Sequence, residues 1–186
     1  MRVSATVSPR TEIALRRIAA FRLQTAHAQL LVDATAIAEG LVDELVNSLF
    51  NEHATAKTPM AKFLLGELNG KFNQNWKSRH SVLTKAFGLD LDQKIMQQMD
   101  SVIQVRNAFV HGDGGLSPNQ SHSWKEIFRL RRDLSLRLGI QIDGTRLHFG
   151  ENTITIALSY VDAYLLELDR ATTAAIRSWP QQSASE

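Results

Sequence analysis

The chain contains no cysteine in 186 residues, which removes disulfides, thiolate metal sites and cysteine nucleophiles from consideration. It also lacks an excess of charge of either sign, with 21 Lys and Arg against 19 Asp and Glu and a formal net charge of +2. Broad attraction to nucleic acid is therefore not built into the totals, and any such binding must use a local patch. No long hydrophobic run is present. The most apolar stretch, residues 30–50, is broken by Asp33, Glu39, Asp43 and Glu44, whereas a membrane span needs about 20 mostly apolar residues. It reads as a core helix. Residues 1–9 lack the basic segment and apolar run of a secretory signal, so a cytoplasmic location is expected, in keeping with the missing cysteines.

Several site patterns are absent too. His27, His53, His80, His122 and His148 are scattered, with no His-Glu-x-x-His pattern among them, so no metal centre is expected. There is no Gly-x-x-x-x-Gly-Lys loop and no Gly-x-Ser-x-Gly elbow. Gly112–Gly115 follows an expected helix rather than a strand, which argues against a dinucleotide fingerprint. No cofactor is expected.

What remains is helical. The chain has only four prolines. Three of them follow a capping side chain, at Ser8-Pro9, Thr58-Pro59 and Ser117-Pro118, and read as helix starts. The fourth, after Trp179, marks the end of the last helix. Ser123 and Glu126 have capping-box spacing, and Ser159 with Asp162 is a weaker version. Apolar residues recur at three and four: Ile13, Leu15 and Ile18, then Leu30, Ala34, Ile37, Leu41 and Leu45, on one continuous helix or two. Further helices are expected over 59–76, 92–111, 124–138 and 160–178. Between the last two, Ile140-Gln-Ile142, Asp143-Gly144 and Leu147-His-Phe149 read as a hairpin. Thr153–Ile156 is a candidate third strand. The expected fold is all-α, an antiparallel helical bundle with a small β-hairpin or meander before its last helix. Residues 1–178 are expected to form a single domain and 179–186 a flexible tail.

The segment 92–111 carries the most information. Ile95, Met99, Val102, Ile103, Phe109 and Val110 fall in one apolar arc at about 100° per residue, and Arg106 lies near its middle. A guanidinium there must snorkel, pair with an anion or face a groove. Asn107 and His111, four residues apart, share a face at the edge of that arc. Gly112 ends the helix and leaves His111 on the last turn, where the helix dipole favours a cation. On spacing alone, Arg106 pairing with a buried carboxylate and His111 meeting the last free carbonyls remain open.

The full string Val105-Arg106-Asn107-Ala108-Phe109-Val110-His111-Gly112 resembles the Arg-Asn-x-x-x-His-Gly signature of the HEPN superfamily of nucleotide-binding helical domains. The apolar helix ending at the motif, the Gly/Asp loop, the next helix, the hairpin and the final amphipathic helix agree with it. Ala36–Val42 is similar to the second-helix pattern of its RiboL-PSP-type branch. Glu39 itself lies off the Leu30–Leu45 stripe and reads as a solvated-face residue.

The resemblance covers about residues 15–176, and only the Arg-to-Gly motif is specific. It implies a HEPN-like bundle and a metal-independent endoribonuclease, a toxin or defence effector, with two motifs facing one cleft across a homodimer. It casts Arg106 and His111 as catalytic residues, with Asn107 orienting them. RNA supplies its own nucleophile, so a site needs proton transfer, charge stabilisation and alignment. Histidine exchanges protons near neutral pH, an Arg fork suits phosphate oxygens, and Asn donates hydrogen bonds. The products expected are a 2′,3′-cyclic phosphate and a 5′-hydroxyl, with DNA resistant. Other members of the superfamily are noncatalytic modules that bind RNA, nucleotide or a protein partner, or partner a nucleotidyltransferase. Lys125, Arg129 and Arg132 share a helix face and are candidate RNA-backbone contacts, with a solvated face as the alternative. Lys71, Lys77, Arg79 and Lys85 around Trp76 form a second candidate patch with an aromatic platform, with Trp76 capping the core as the equal alternative. An antitoxin protein is a further possible partner.

Overall fold

The computed structural model describes residues 9–52 and 75–179. Within them the chain is mostly helical, with five α-helices and a two-stranded antiparallel sheet. In chain order these are α1 (Pro9–Glu52), α2 (Trp76–Ser81) leading into a π-helical turn (Val82–Ala86), α3 (Gln93–Gly112), α4 (Trp124–Leu138), β1 (Gln141–Asp143), β2 (Arg146–His148) and α5 (Thr153–Ser178). Thr58-Pro59, most of the helix expected over 59–76, Lys71 and the tail beyond Trp179 lie outside the described residues. No helix among the described residues is long and apolar enough to cross a membrane.

The two apolar runs expected near the N-terminus form one continuous helix, α1, of 44 residues. Its buried row is Ala28, Leu31, Thr35, Ala38, Val42, Val46 and Leu49, spaced at three and four as one helix face requires. This differs from the stripe read from sequence, because Leu30 and Ile37 are exposed. The helix carries two apolar stripes, and periodicity alone does not say which one is covered.

Packing divides the chain into two compact units, Met1–Asp33 with Ser101–Leu158 and Ala34–Asp100 with Ser159–Glu186. In the first, Ser123 caps α4 as its spacing with Glu126 predicts: Glu126 N donates to Ser123 Oγ at 3.2 Å, and the Ser123 hydroxyl, in place of its backbone N–H, donates to Glu126 Oε2 at 3.2 Å. Helix α4 stops at Gly139, whose φ of 66° is left-handed and favours glycine. The hairpin pairs Asp143 with Arg146, so its two-residue loop is Gly144-Thr145, one position later than Asp143-Gly144. Gly144 at the first central position, with φ 58°, suits a turn of the primed type that matches strand twist.

Thr153–Ile156 is not a third strand. Gly150 N donates to Thr153 Oγ1 and that hydroxyl donates to Leu138 O. Those bonds bury Thr153 and start α5 there, seven residues earlier than its apolar periodicity suggested, so Ser159 lies inside the helix instead of capping it. Ser117-Pro118 likewise opens only a turn. Ser117 N bonds Gln120 Oε1 and Gln120 Nε2 donates to Gln104 O and Oε1, which draws the Gln120 side chain to α3.

In the second unit, Asp92 caps α3 through Oδ1, accepting from Lys94 N and Ile95 N at 2.7 and 3.0 Å. Asp92 N is itself held by Glu167 Oε1 at 2.8 Å, and Arg170 grips both Glu167 oxygens. The core includes Leu49, Leu83, Met99, Tyr164 and Leu168, all essentially inaccessible.

Candidate functional site

The last turns of α3 show how the chain presents the Arg-Asn-x-x-x-His-Gly segment. Val102 and Ile103 are buried within the arc, and a second buried row runs Ser101, Val105 and Ala108, at spacings of four and three. Gly112 continues the row, and a Cβ there would lie 3.1 Å from Ser117 N. This row lies on the other side of the helix from the arc around Arg106. Toward the helix end that arc is open: Arg106, Asn107 and Phe109 are half-buried, and Val110 and His111 are exposed. Arg106 Nη1 donates to Asn107 Oδ1 at 3.1 Å. The amide therefore meets the guanidinium through its oxygen and carries its two N–H donors on the other atom.

The chain leaves the helix through two left-handed residues, Asp113 with φ 49° and Gly114 with φ 80°. Gly114 N bonds Ala108 O at 3.2 Å and Gly115 N bonds Gly112 O at 2.9 Å. A Cβ on Gly114 would sit 3.2 Å from the Phe109 ring, so both its φ and its neighbour call for glycine. The loop is then sewn to the hairpin. Leu116 N donates to Thr145 O at 2.7 Å, Leu147 N donates to Gly114 O at 3.0 Å, and Gly115 forms an antiparallel bridge with Arg146. Phe109 stacks on Phe149 with ring centroids 5.3 Å apart and planes 9° from parallel. His111 thus lies on a helix end fixed from below by the hairpin and open to solvent above.

Helix α4 follows this loop in the same unit. Its outward face carries Lys125, Arg129 and Arg132, all exposed. Arg129 and Arg132 both lean toward Asp133, at 3.7 and 3.5 Å, and surface pairs of this kind are worth under about 1 kcal/mol and exchange readily. Sequence reading missed two aromatic neighbours on that face. Trp124 is 77% and Phe128 62% exposed, with ring centroids 6.4 Å apart. One wheel places Trp124, Phe128, Arg132, Lys125 and Arg129 on one side, and counting aromatics at the basic positions was the signal that could have found them. Arg131 plays a different part, donating from Nη2 to Gly144 O at 3.1 Å.

Among the described residues the aromatic platform of the patch around Trp76 does not form, and Trp76 takes the alternative place in the core. Trp76 and Arg79 are both 6% exposed, so the indole cannot serve as a stacking platform. Arg79 lies over the Trp76 ring, 5.7 Å from its centroid, and bonds Asp43 Oδ1 at 3.0 Å and Glu39 Oε1 at 3.3 Å. Glu39 is accordingly an ion-pair partner of a buried guanidinium, its side chain 23% exposed, and not a solvated-face residue. The covered stripe of α1 runs beside it. His80 Nε2 meets Tyr164 Oη at 2.9 Å. Burial, aided by the neighbouring Arg79 cation, lowers the His80 pKa to about 4, and burial raises that of Tyr164. Both are therefore neutral near pH 7.

Among the described residues no group of three or more His, Cys, Asp or Glu side chains is placed to hold a metal ion. Compared with protein-family models, curated proteins and solved structures, the chain matches none.

Proposed function

We propose that the chain is a HEPN-type endoribonuclease that cleaves RNA through the 2′-hydroxyl without a metal, working as a homodimer in toxin or defence biology. The observation that carries this reading is the Arg106-Asn107 pair and His111 at an open helix end, in a string that resembles the superfamily signature. In the proposed reaction the 2′-oxygen forms a bond to phosphorus and the bond from phosphorus to the 5′-oxygen breaks. A proton leaves the 2′-hydroxyl and one is delivered to the 5′-oxygen. Two His111 side chains, one from each copy, divide those transfers, and a positioned acid or base contributes about 10²- to 10⁴-fold. Arg106 stabilises the extra charge on the phosphorane, and Asn107 orients it. The half-open apolar arc around Arg106 supports a two-fold partner at this face.

The aromatic and basic face of α4 favours a second reading, a noncatalytic module that binds single-stranded RNA by stacking and phosphate contact. One experiment separates the two. Wild-type protein incubated in EDTA with single-stranded and structured RNA should yield 2′,3′-cyclic phosphate ends, and His111→Ala and Arg106→Ala should each lower the rate at least a hundredfold. Circular dichroism should be unchanged for His111→Ala, an exposed position. Activity that persists in both variants rules out this site. An inert wild type that still binds RNA leaves the module reading.

A further inference from the structure

Helix α1 has a second apolar face. Leu15, Ala19, Leu23, Ala26, Leu30 and Ile37 follow one another at spacings of four, four, three, four and seven residues, which keeps them in an arc roughly a quarter-turn wide. The arc lies opposite the buried row that begins at Ala28. Leu15 and Leu23 are 54% and 55% exposed, and Ile37 is 69% exposed.

The charges of the same helix are sorted by end. Arg10, Arg16, Arg17 and Arg22 stand with a single Glu12 in its first part, while from Leu23 to Glu52 the charged residues are all acids: Asp33, Glu39, Asp43, Glu44 and Glu52. The last turn holds no basic residue. This order opposes the helix macrodipole, which favours acids at the start and bases at the end. Arg79 engages Glu39 and Asp43. Asp33 and Glu44 are exposed and fall on the side of the bare stripe, which Arg16 and Arg22 flank in the basic half. Arg16 pairs with Glu12 one turn earlier, an exposed pair of the kind that exchanges readily.

We propose that this face docks a second copy of the chain, α1 against α1 in antiparallel orientation. Antiparallel pairing lays the Arg16 and Arg22 of each copy over the Asp33 and Glu44 of the other, and two-fold symmetry makes each contact twice. It also sets each helix start beside the other's end, which relieves the adverse dipole at both. Parallel pairing would stack like charges. An anionic membrane or a nucleic-acid strand would meet the acidic half, so neither fits the whole stripe. The pairing does not depend on the nuclease reading and places a contact surface on α1, separate from the arc around Arg106.

Light scattering and sedimentation of the full chain at micromolar concentration should show an assembly of two copies, or of four where the arc around Arg106 pairs as well. Leu30→Glu with Ile37→Glu should halve that assembly at unchanged helical content, since both side chains are exposed in one copy. Arg16→Glu with Arg22→Glu should weaken association by about tenfold, and adding Asp33→Arg and Glu44→Arg to that chain should restore it. With no native cysteine, introduced ones report polarity: oxidation should link a mixture of Leu15→Cys and Glu44→Cys chains faster than either alone. A monomeric wild type overturns the proposal, as does an assembly whose mass is unchanged by Leu30→Glu with Ile37→Glu, or preferential self-linking of Leu15→Cys. An unchanged assembly that cleaves RNA leaves the nuclease reading standing without this one. An assembly halved in the α1 variant, from a wild type inert on RNA, upholds this one alone.

Discussion

His80 is the residue whose chemistry departs furthest from its ordinary state. An unfolded chain takes up a proton near pH 6.5 that the buried imidazole refuses down to about 4. Between those values the unfolded state binds more protons, so stability is complete above pH 6.5 and falls as the pH drops through that window. From pH 6.5 to 5 the loss should be about 2 kcal/mol at 1.36 kcal/mol per unit, measurable as a shift of the urea midpoint. His80→Gln should flatten that slope, and a variant with the wild-type slope would refute the assignment. Glu167 acts in the same direction at lower pH, because its bonds from Arg170 and the Asp92 amide hold its pKa below the usual carboxylate range. None of this was readable from the sequence. The 3- and 4-residue spacing around Glu39 fits either stripe of α1, and choosing the Leu30–Leu45 stripe turned the helix over and put Glu39 in water. Arg79 looked like part of a basic patch because its acid partners lie 36 and 40 residues away in the chain.

At the scale of an element, α4 joins a local and a global signal. Its start at the Ser123–Glu126 box and its stop at Gly139 are local chemistry and legible from the sequence. So is the hairpin, displaced by one residue at its turn. The strand expected at Thr153–Ile156 illustrates the opposite: a β-branched run reads as extended until Thr153 is drawn to Leu138 and Gly150, contacts that no window of a few residues contains. The exposure of Trp124 and Phe128 is equally a matter of what packs where. Replacing both with alanine should weaken binding of a single-stranded oligonucleotide by about ten- to a hundredfold, from stacking worth roughly 1–3 kcal/mol per base. Fluorescence anisotropy would measure it. Leu166→Ala, at an exposed position of α5, serves as the control and should leave affinity unchanged. An unaltered affinity in the double variant removes α4 as an RNA surface.

For the molecule as a whole, the near balance of charge sets how RNA binding responds to salt. With a net charge of only +2, attraction must come from local side chains. Three phosphate contacts at Lys125, Arg129 and Arg132 correspond to a slope of log affinity against log salt of about −2 for a single strand. A titration with a much steeper slope would point to a wider basic surface than α4 offers, and a flat one would exclude these residues as backbone contacts. The mainly helical class was legible because caps, periodicity and the scarcity of proline agree along the chain. The arrangement around Arg106 was legible only in part. The arc is buried at Val102 and Ile103, but α3 also buries Ser101 and Ala108 beside Val105 on another face, small residues that a hydrophobic pattern overlooks.

One small bond pair also bears on how the molecule forms. The Gln24 side chain exchanges two hydrogen bonds with the Phe149 backbone, accepting from Phe149 N at 3.0 Å and donating to Phe149 O at 3.3 Å. It acts as a one-residue strand laid on the chain just past β2. The two residues are 125 positions apart, so the clasp closes a very long loop and gains nothing until that closure is complete. The Phe149 amide therefore works as a clock for folding. In pulsed hydrogen exchange it should acquire protection later than the amides of α4 and the hairpin, whose bonds close over much shorter spans.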